Sequence, residues 1–475
     1  MQAPTPVSAT SPAPRHAGTP LAPPRPERHD GMLRAITCGS VDDGKSTLIG
    51  RLLHETASVH SDHLDAVRRA SAARRSEQLD LSLLTDGLRA EREQGITIDV
   101  AYRAFSTEKR RFILADTPGH VQYTRNMATG ASTADAAILL VDARQGVVEQ
   151  TRRHSCIASL LGIRHLVVCV NKMDLVAHGA EHLERVQREF LDFAAAARPD
   201  GRGSIAERAS ITLLPISALH GDNIVRRSER MPWHAGPTLL ELLESLPDAQ
   251  SPIDAPPRFP VQFVIRAHGD RADDYRGYAG RLASGSLRVG DRVVSLPSGA
   301  TSRIARLHIG SEDVEAIRAS QSAAIVLEDD IDVSRGDLLI AEARPGHASA
   351  HLGSVVIANV IWMHRHALQP GRQILVKHCT RTIAARVTAI RHRVDLNRGA
   401  ADTTANSLEL NEIGCVELRL ASEIAFDEYG HNRTTGSLIA IDPQSNATLG
   451  AGLLVAPQGH ATVDLDARPS EDPPA

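Results

Sequence analysis

Cysteine is scarce in this chain, and the few present follow no pattern. Five occur in 475 residues, Cys38, Cys156, Cys169, Cys379 and Cys415, an odd number with no C-x-x-C pair. That argues against a disulfide framework or a zinc site and for a reducing, cytoplasmic compartment. Three of the five lie in apolar strand or helix patterns, where a thiol behaves as a small inert hydrophobe. Twenty-two histidines are present, but none falls in an H-E-x-x-H pair. No apolar run is long enough to span a bilayer. The first thirty residues lack the apolar core of a secretory signal. Charge of one sign is also lacking: the formal net charge is −4 at pH 7. Neither a nucleic-acid partner nor an anionic membrane surface is expected from that balance.

What is present is ample apolar material. Hydrophobic residues make up 42% and charged residues 23%, as in globular proteins with a sizeable core. The length fits about three domains. Residues 1–30 are rich in Pro, Ala and Ser and read as a disordered tail. Residues 31–250 alternate apolar strands with helical patterns. Strands are expected at Met32–Cys38, Thr97–Phe105, Arg111–Ala115, Ala136–Asp142, His165–Asn171 and Ile211–Ser217. Helices are expected to begin near Lys45, His60, Val121, Val148, Glu181 and Thr238. Runs such as AAILLV and LVVCV suit strands buried on both faces. The fold class is therefore an α/β domain with a doubly wound, mostly parallel sheet. After the proline-rich stretch AQSPIDAPPRFP the helical pattern largely stops. Short apolar runs and glycine turns then predict two small β-barrels, at 258–345 and 350–455, and a flexible tail at 456–475.

The chemistry is carried by motifs at strand ends. Gly39 to Ser46 reads GSVDDGKS, the G-x-x-x-x-G-K-[ST] pattern, between an apolar strand and an amphipathic helix. Gly39 and Gly44 free the backbone to aim N–H groups at an anion. The stretch Ser40, Val41, Asp42, Asp43 lies between them. Lys45 is expected to reach the outer phosphates, and the Ser46 hydroxyl to ligate Mg²⁺. Thr47 adds an N–H at the positive end of a helix. After the strand RRFILA come Asp116, Thr117, Pro118, Gly119 and His120. Asp116 is a Mg²⁺ candidate, and the Gly119 N–H can grip a γ-phosphate. His120 is placed to orient an attacking water, which makes it the hydrolysis candidate with Lys45. Asn171, Lys172 and Asp174 follow LVVCV. An ionised Asp174 accepts two N–H donors, which guanine offers and adenine does not. Ser217, Ala218 and Leu219 follow ITLLPI, where a backbone N–H can meet the guanine carbonyl. Thr97, ahead of the second strand, is the second Mg²⁺ hydroxyl. Together these four stretches specify a guanine-nucleotide switch with GTP and Mg²⁺ as cofactors.

These stretches resemble the translational GTPase superfamily, of which elongation factor Tu is the familiar member. The G domain with two β-barrels matches its layout. A narrower resemblance is carried by LLTDGLRAEREQGITIDVAYR, ADTPGHVQYTRNMATGAS, DYRGYAGRLASG, EDDIDVSRGDLL and NRTTGSLIAID. These look like the large, GTP-hydrolysing subunit of bacterial sulfate adenylyltransferase. That resemblance implies a partner, a smaller subunit that transfers the adenylyl group from ATP to sulfate. It also implies that this chain hydrolyses GTP to drive formation of adenosine 5′-phosphosulfate, in a heterodimer or higher assembly. The alternative is an elongation-factor-like GTPase that delivers aminoacyl-tRNA. No second P-loop appears, so a fused kinase domain is not expected.

Overall fold

The computed structural model describes residues 31–58, 64–65, 67–68, 81–84, 99–120, 123–247, 252–266, 275–341, 350–396 and 399–456. The expectations for residues 1–30, for Thr97, for a helix near His60 and for the tail beyond Ala456 lie outside them. The fold class is the one expected. Six strands form the first sheet: β1 (Met32–Cys38), β2 (Ala101–Ser106), β3 (Arg111–Asp116), β4 (Ala136–Asp142), β5 (His165–Asn171) and β6 (Ser210–Pro215). Their order is β2-β3-β1-β4-β5-β6. Only β2 runs antiparallel to its neighbour, and the remaining pairs are parallel. β4 is buried at every position, which is why its sequence is a continuous apolar run.

Helices cover both faces: α1 (Lys45–Glu55), α2 (Thr124–Ala131), α3 (Glu149–Leu160), α4 (Ala180–Ala196), the single turn α5 (Ile205–Arg208), and α6 (Leu239–Ser245). The period-two alternation of the strands sorts side chains between two cores. Leu33, Ala35 and Leu140 join Leu48, Ile49 and Leu52 of α1 and Leu239 and Leu243 of α6. Ile36, Leu139 and Val141 join Met127 of α2, Ile157 of α3 and Phe190 of α4. Each fully buried Leu or Ile contributes about 1.5–3 kcal/mol. Thr238 caps α6 by accepting from the Glu241 N–H at 3.2 Å, and Glu241 returns a bond to the Thr238 N–H. Among the described residues no helix is long and apolar enough to cross a membrane.

Two closed antiparallel barrels follow. In the first, strands Arg292–Leu296, Leu338–Ala341, Arg258–Arg266, Arg276–Arg281, Ser322–Leu327 and Thr301–Ile309 pair in that order, and the last returns to the first. In the second, Gln373–His378, Ser437–Ile441, Thr448–Val455, His351–Trp362, Ile413–Phe426 and Arg381–Asp395 close in the same way. Closure leaves no long unpaired edge.

The loop 427–435 meets all three units. Asp427 takes a bidentate pair from Arg258 of the first barrel, Nε to Oδ2 and Nη2 to Oδ1, both at 2.9 Å, with the arginine 4% exposed. Thr435 Oγ1 donates to Asp427 Oδ2 at 2.5 Å. Asn432 Nδ2 donates to Ser284 Oγ, also of the first barrel, at 2.9 Å. Toward the α/β domain, Tyr429 donates to the Leu161 carbonyl at 3.3 Å, and Arg433 donates to the carbonyls of Gly162 and Ala134 at 2.6 and 3.3 Å. Glu428 pairs with Arg202 at 2.6 Å. Ile361, Ile413, Tyr429 and Leu453 of the second barrel belong to the same apolar cluster as the α2–α4 face of the sheet.

A buried pair of this kind is costly to break on one side only. Asp427→Ala should lower stability by about 3–5 kcal/mol because it strands the Arg258 charge, whereas Arg258→Met with Asp427→Leu should be close to neutral. Urea denaturation of the two variants checks this, and equal losses in both would refute it.

Candidate functional site

All four motifs arrive at one place because the sheet is parallel. β1, β3, β5 and β6 end at the same edge, so the loops after Cys38, Asp116, Asn171 and Pro215 face one another. Among the expected site residues, only Thr97 lies outside the described ones.

The P-loop has the backbone such a loop needs. Gly39 has φ 154°, Asp42 67° and Gly44 90°. A Cβ on Gly44 would sit 2.6 Å from Asn171 Nδ2, and one on Gly39 would sit 2.9 Å from the Leu140 carbonyl oxygen. Gly44 ends the loop as the N-cap of α1, so the first-turn N–H groups of Lys45, Ser46 and Thr47 have no partner within the helix. Val41, 37% exposed, stands at the tip. Asp43 is 3% exposed and braces the loop, its Oδ2 accepting from the Ser40 N–H at 2.5 Å. Burial raises the Asp43 carboxyl above the usual range, opposed by the nearby Lys45 charge.

Lys45 is buried, and burial pulls its ammonium below the ordinary lysine value, against Asp116 and Asp43. Its Nζ donates to the carbonyls of Ser40 and Gly39 at 2.7 and 3.1 Å. A Cβ on Gly119 would collide with that Nζ and with the P-loop backbone, so the D-T-P-G-H turn lies directly against the P-loop. Thr37 Oγ1 donates to Asp116 Oδ1 at 3.3 Å, and Thr117 Oγ1 to the Thr37 carbonyl at 2.6 Å. Pro118 is buried and His120 exposed, with the imidazole 6.0 Å from the Tyr123 ring. Among the described residues no three or more His, Cys, Asp or Glu gather as a metal cage. The donors at hand are the Ser46 hydroxyl and the Asp116 carboxylate, a sparse oxygen set that suits Mg²⁺ better than Zn²⁺.

On the base side, Asn171 connects three loops. Its Nδ2 donates to the Asp43 carbonyl at 2.7 Å, and its Oδ1 accepts the Ala218 N–H at 2.9 Å. Ser217 Oγ donates to Asp174 Oδ1 at 2.6 Å and fixes that carboxylate. Arg51 Nε donates to the Ala218 carbonyl at 3.2 Å, and its Nη2 to that of Leu219.

Two features escaped the sequence reading. Lys172, at φ 64°, pairs with Asp142 at 3.0 Å, and Arg144 grips the same carboxylate. Burial opposes the Asp142 charge, but bonds from the Arg144 side chain and backbone and from Lys172 outweigh it and hold the carboxyl well below its usual range. The available signal was an acid at the end of an apolar strand, as at Asp116. His154 of α3 is fully buried. Gln150 Nε2 lies 2.8 Å from its Nε2, an amide orientation that leaves the ring proton on Nδ1. Burial, then the Lys45 and Arg153 charges, lowers its pKa to about 3. Burial also pushes the Cys38 and Cys156 thiols up to about 12.

Residues 31–249 match the family of the elongation factor Tu GTP binding domain, and residues 355–455 match the GTP-eEF1A C-terminal domain-like family. The α/β unit and the second barrel are thus domains of translational-GTPase type. The N-terminal unit is a GTP-binding domain, hereafter the G domain. Similar solved structures include sup35 complexed with GMPPNP, at 22% identity over 90% of this chain and 94% of that one, TM-score 0.39. Another is the S. cerevisiae Ski7 GTPase-like domain bound to GDP and inorganic phosphate, at 15% identity over 90% and 98%, TM-score 0.48.

Asn171→Ala removes two buried hydrogen bonds and strands their partners, so nucleotide affinity should fall about tenfold or more. Titration with a fluorescent GDP checks it; an unchanged Kd would refute the bracing role. The depressed pKa of His154 also sets a pH dependence. Its folded value lies below the unfolded 6.5, so its contribution is complete above pH 6.5 and is lost as pH falls toward 3. His154→Gln should flatten the fall in stability over that window, read by urea denaturation at successive pH values.

Proposed function

We propose that this chain is the GTP-hydrolysing subunit of a sulfate-activating enzyme. It would couple GTP hydrolysis to adenylyl transfer from ATP to sulfate on a smaller partner subunit. The observation that carries the GTPase half is the convergence of P-loop, Asp116 turn, Asn171–Asp174 and Ser217–Leu219 at one sheet edge, with Asp174 oriented by Ser217. The narrower half is supported by where the resembling segments lie. NRTTGSLIAID begins at Asn432 and Arg433, the residues that hold the second barrel to the first barrel and to the G domain. DYRGYAGRLASG ends in the Ser284–Gly285 turn that Asn432 meets.

In this mechanism the backbone N–H groups of residues 39–47 surround the phosphates, and Lys45 leaves its carbonyl partners for the β- and γ-phosphate oxygens. Ser46 and Asp116, together with Thr97, would hold Mg²⁺, which would neutralise developing phosphate charge. Gly119 N–H senses the γ-phosphate, and His120 orients the attacking water. Asp174 accepts from the guanine N1–H and 2-amino group, and the Ala218 region meets its carbonyl. Catalysis is by positioning and charge neutralisation.

Asp174→Asn replaces an acceptor by a donor, so preference should shift from GTP toward xanthosine triphosphate, whose 2-keto group accepts. With the partner subunit present, Lys45→Ala should abolish GTP-stimulated formation of adenosine 5′-phosphosulfate. Sulfate activation indifferent to GTP and to both changes would sink the proposal. Tight, GTP-dependent retention of aminoacyl-tRNA on a filter would replace it with the carrier reading.

A further inference from the structure

A cavity of about 1690 Å³ lies between the G domain and both barrels, lined by residues of all three. Its lining includes Arg34 near the start of β1 and Arg164 just before β5. Its charge is unbalanced: six arginines line it against three acidic residues. Two carboxylates are already paired, Asp200 with Arg208 and Glu428 with Arg202. The third, Asp135, accepts the backbone N–H of Arg34 at 2.9 Å. Among the described residues, the guanidiniums of Arg34, Arg164, Arg281 and Arg433 form no ion pair. Arg433 and Arg281 bond only to neutral backbone carbonyls, which leaves their charge uncompensated. Like charges facing one concavity repel unless an anion lies between them, and the concave shape focuses their field.

A second, independent observation concerns hydrogen bonding. Two lining residues are almost wholly buried, Ser159 at 3% and Asn359 at 5% exposure. Ser159 Oγ and Asn359 Oδ1 have no partner among the described residues. Both atoms are closed off from solvent, so they mark unmet hydrogen-bonding capacity at the wall of the cavity, which buried polar groups rarely leave. A planar guanidinium fork matches tetrahedral phosphate- or sulfate-type oxyanions.

We propose that this inter-domain cavity is a second anion site, distinct from the P-loop, that takes a small phosphate- or sulfate-type di- or polyanion. Arg34 and Arg164 supply charge from the G domain, Arg281 from the first barrel and Arg433 from the second. Such a ligand touches all three units and ties their relative placement. The site does not depend on the sulfate-activation reading.

The test uses the full chain saturated with GDP and Mg²⁺, so that the P-loop is occupied, titrated calorimetrically with inorganic pyrophosphate and separately with ADP. Saturable, one-site binding is expected. Tighter ADP binding would identify a nucleotide-borne diphosphate, and equal affinity a free oxyanion. The double variant Arg164→Glu, Arg281→Glu should weaken binding at least tenfold and leave GDP affinity unchanged. A further readout needs no variant. Cys379 lines the cavity and is the one cysteine that is not buried, so bound pyrophosphate should slow its maleimide labelling severalfold. The proposal is overturned if neither probe binds saturably or if binding is lost as GDP saturates the P-loop. It is equally overturned if the double variant binds as the wild type does or if Cys379 labelling is unaffected.

Discussion

The side-chain amide of Asn171 is the joint on which the nucleotide-binding edge depends. One group, at the last position of β5, donates to the P-loop carbonyl at Asp43 and accepts the N–H of Ala218. A carboxylate in its place could not donate and an ammonium could not accept, whereas the carboxamide satisfies both loops at once. Gly44 is glycine for the same reason: any side chain there would occupy the space of the Asn171 nitrogen. The phosphate loop and the base loops are therefore one connected object, with Asp174 held in place by Ser217. Burial raises the stakes, since each of these polar groups has lost its water and is costly to leave unpaired.

The barrels reach the G domain through a different kind of contact. Its core is apolar, with Ile361, Ile413 and Leu453 continuing the cluster beneath α2 and α3. Its polar part is a set of bonds to carbonyls at helix ends, where Tyr429 and Arg433 satisfy Leu161, Gly162 and Ala134. Those carbonyls lie just past the helix C-termini, so cations and hydroxyls from a neighbouring unit find ready acceptors.

Much of this was legible in the residues. β4 and β5 were predictable to the residue because a parallel strand buried on both faces is a nearly continuous apolar run, and β1 keeps that pattern apart from the exposed Arg34 and the buried Thr37. The P-loop, Asp116, Asn171–Asp174 and Ser217–Leu219 could be assigned together because each follows such a run. The ends blur where turn chemistry intervenes: β6 stops at Pro215, which lacks an N–H for the ladder, two residues before the expected end. The turn α5 went unread because four residues carry no periodicity. The barrel strand Thr301–Ile309 is harder to see because arginines fill its outward positions. The pairing of Asp142 with Lys172 and the contacts of the loop 427–435 span residues distant in the chain, and only the folded geometry brings Arg258 to Asp427.

The two barrels share a charge pair buried from water, a carboxamide bond from Asn432 to Ser284, and a bond from Thr380 Oγ1 to the Val261 carbonyl at 2.7 Å. The contacts of the second barrel with the G domain combine apolar packing, hydrogen bonds to backbone carbonyls and the Arg202–Glu428 pair. The barrels are thus latched to each other by a charge pair whose two-pronged geometry leaves little freedom to slide.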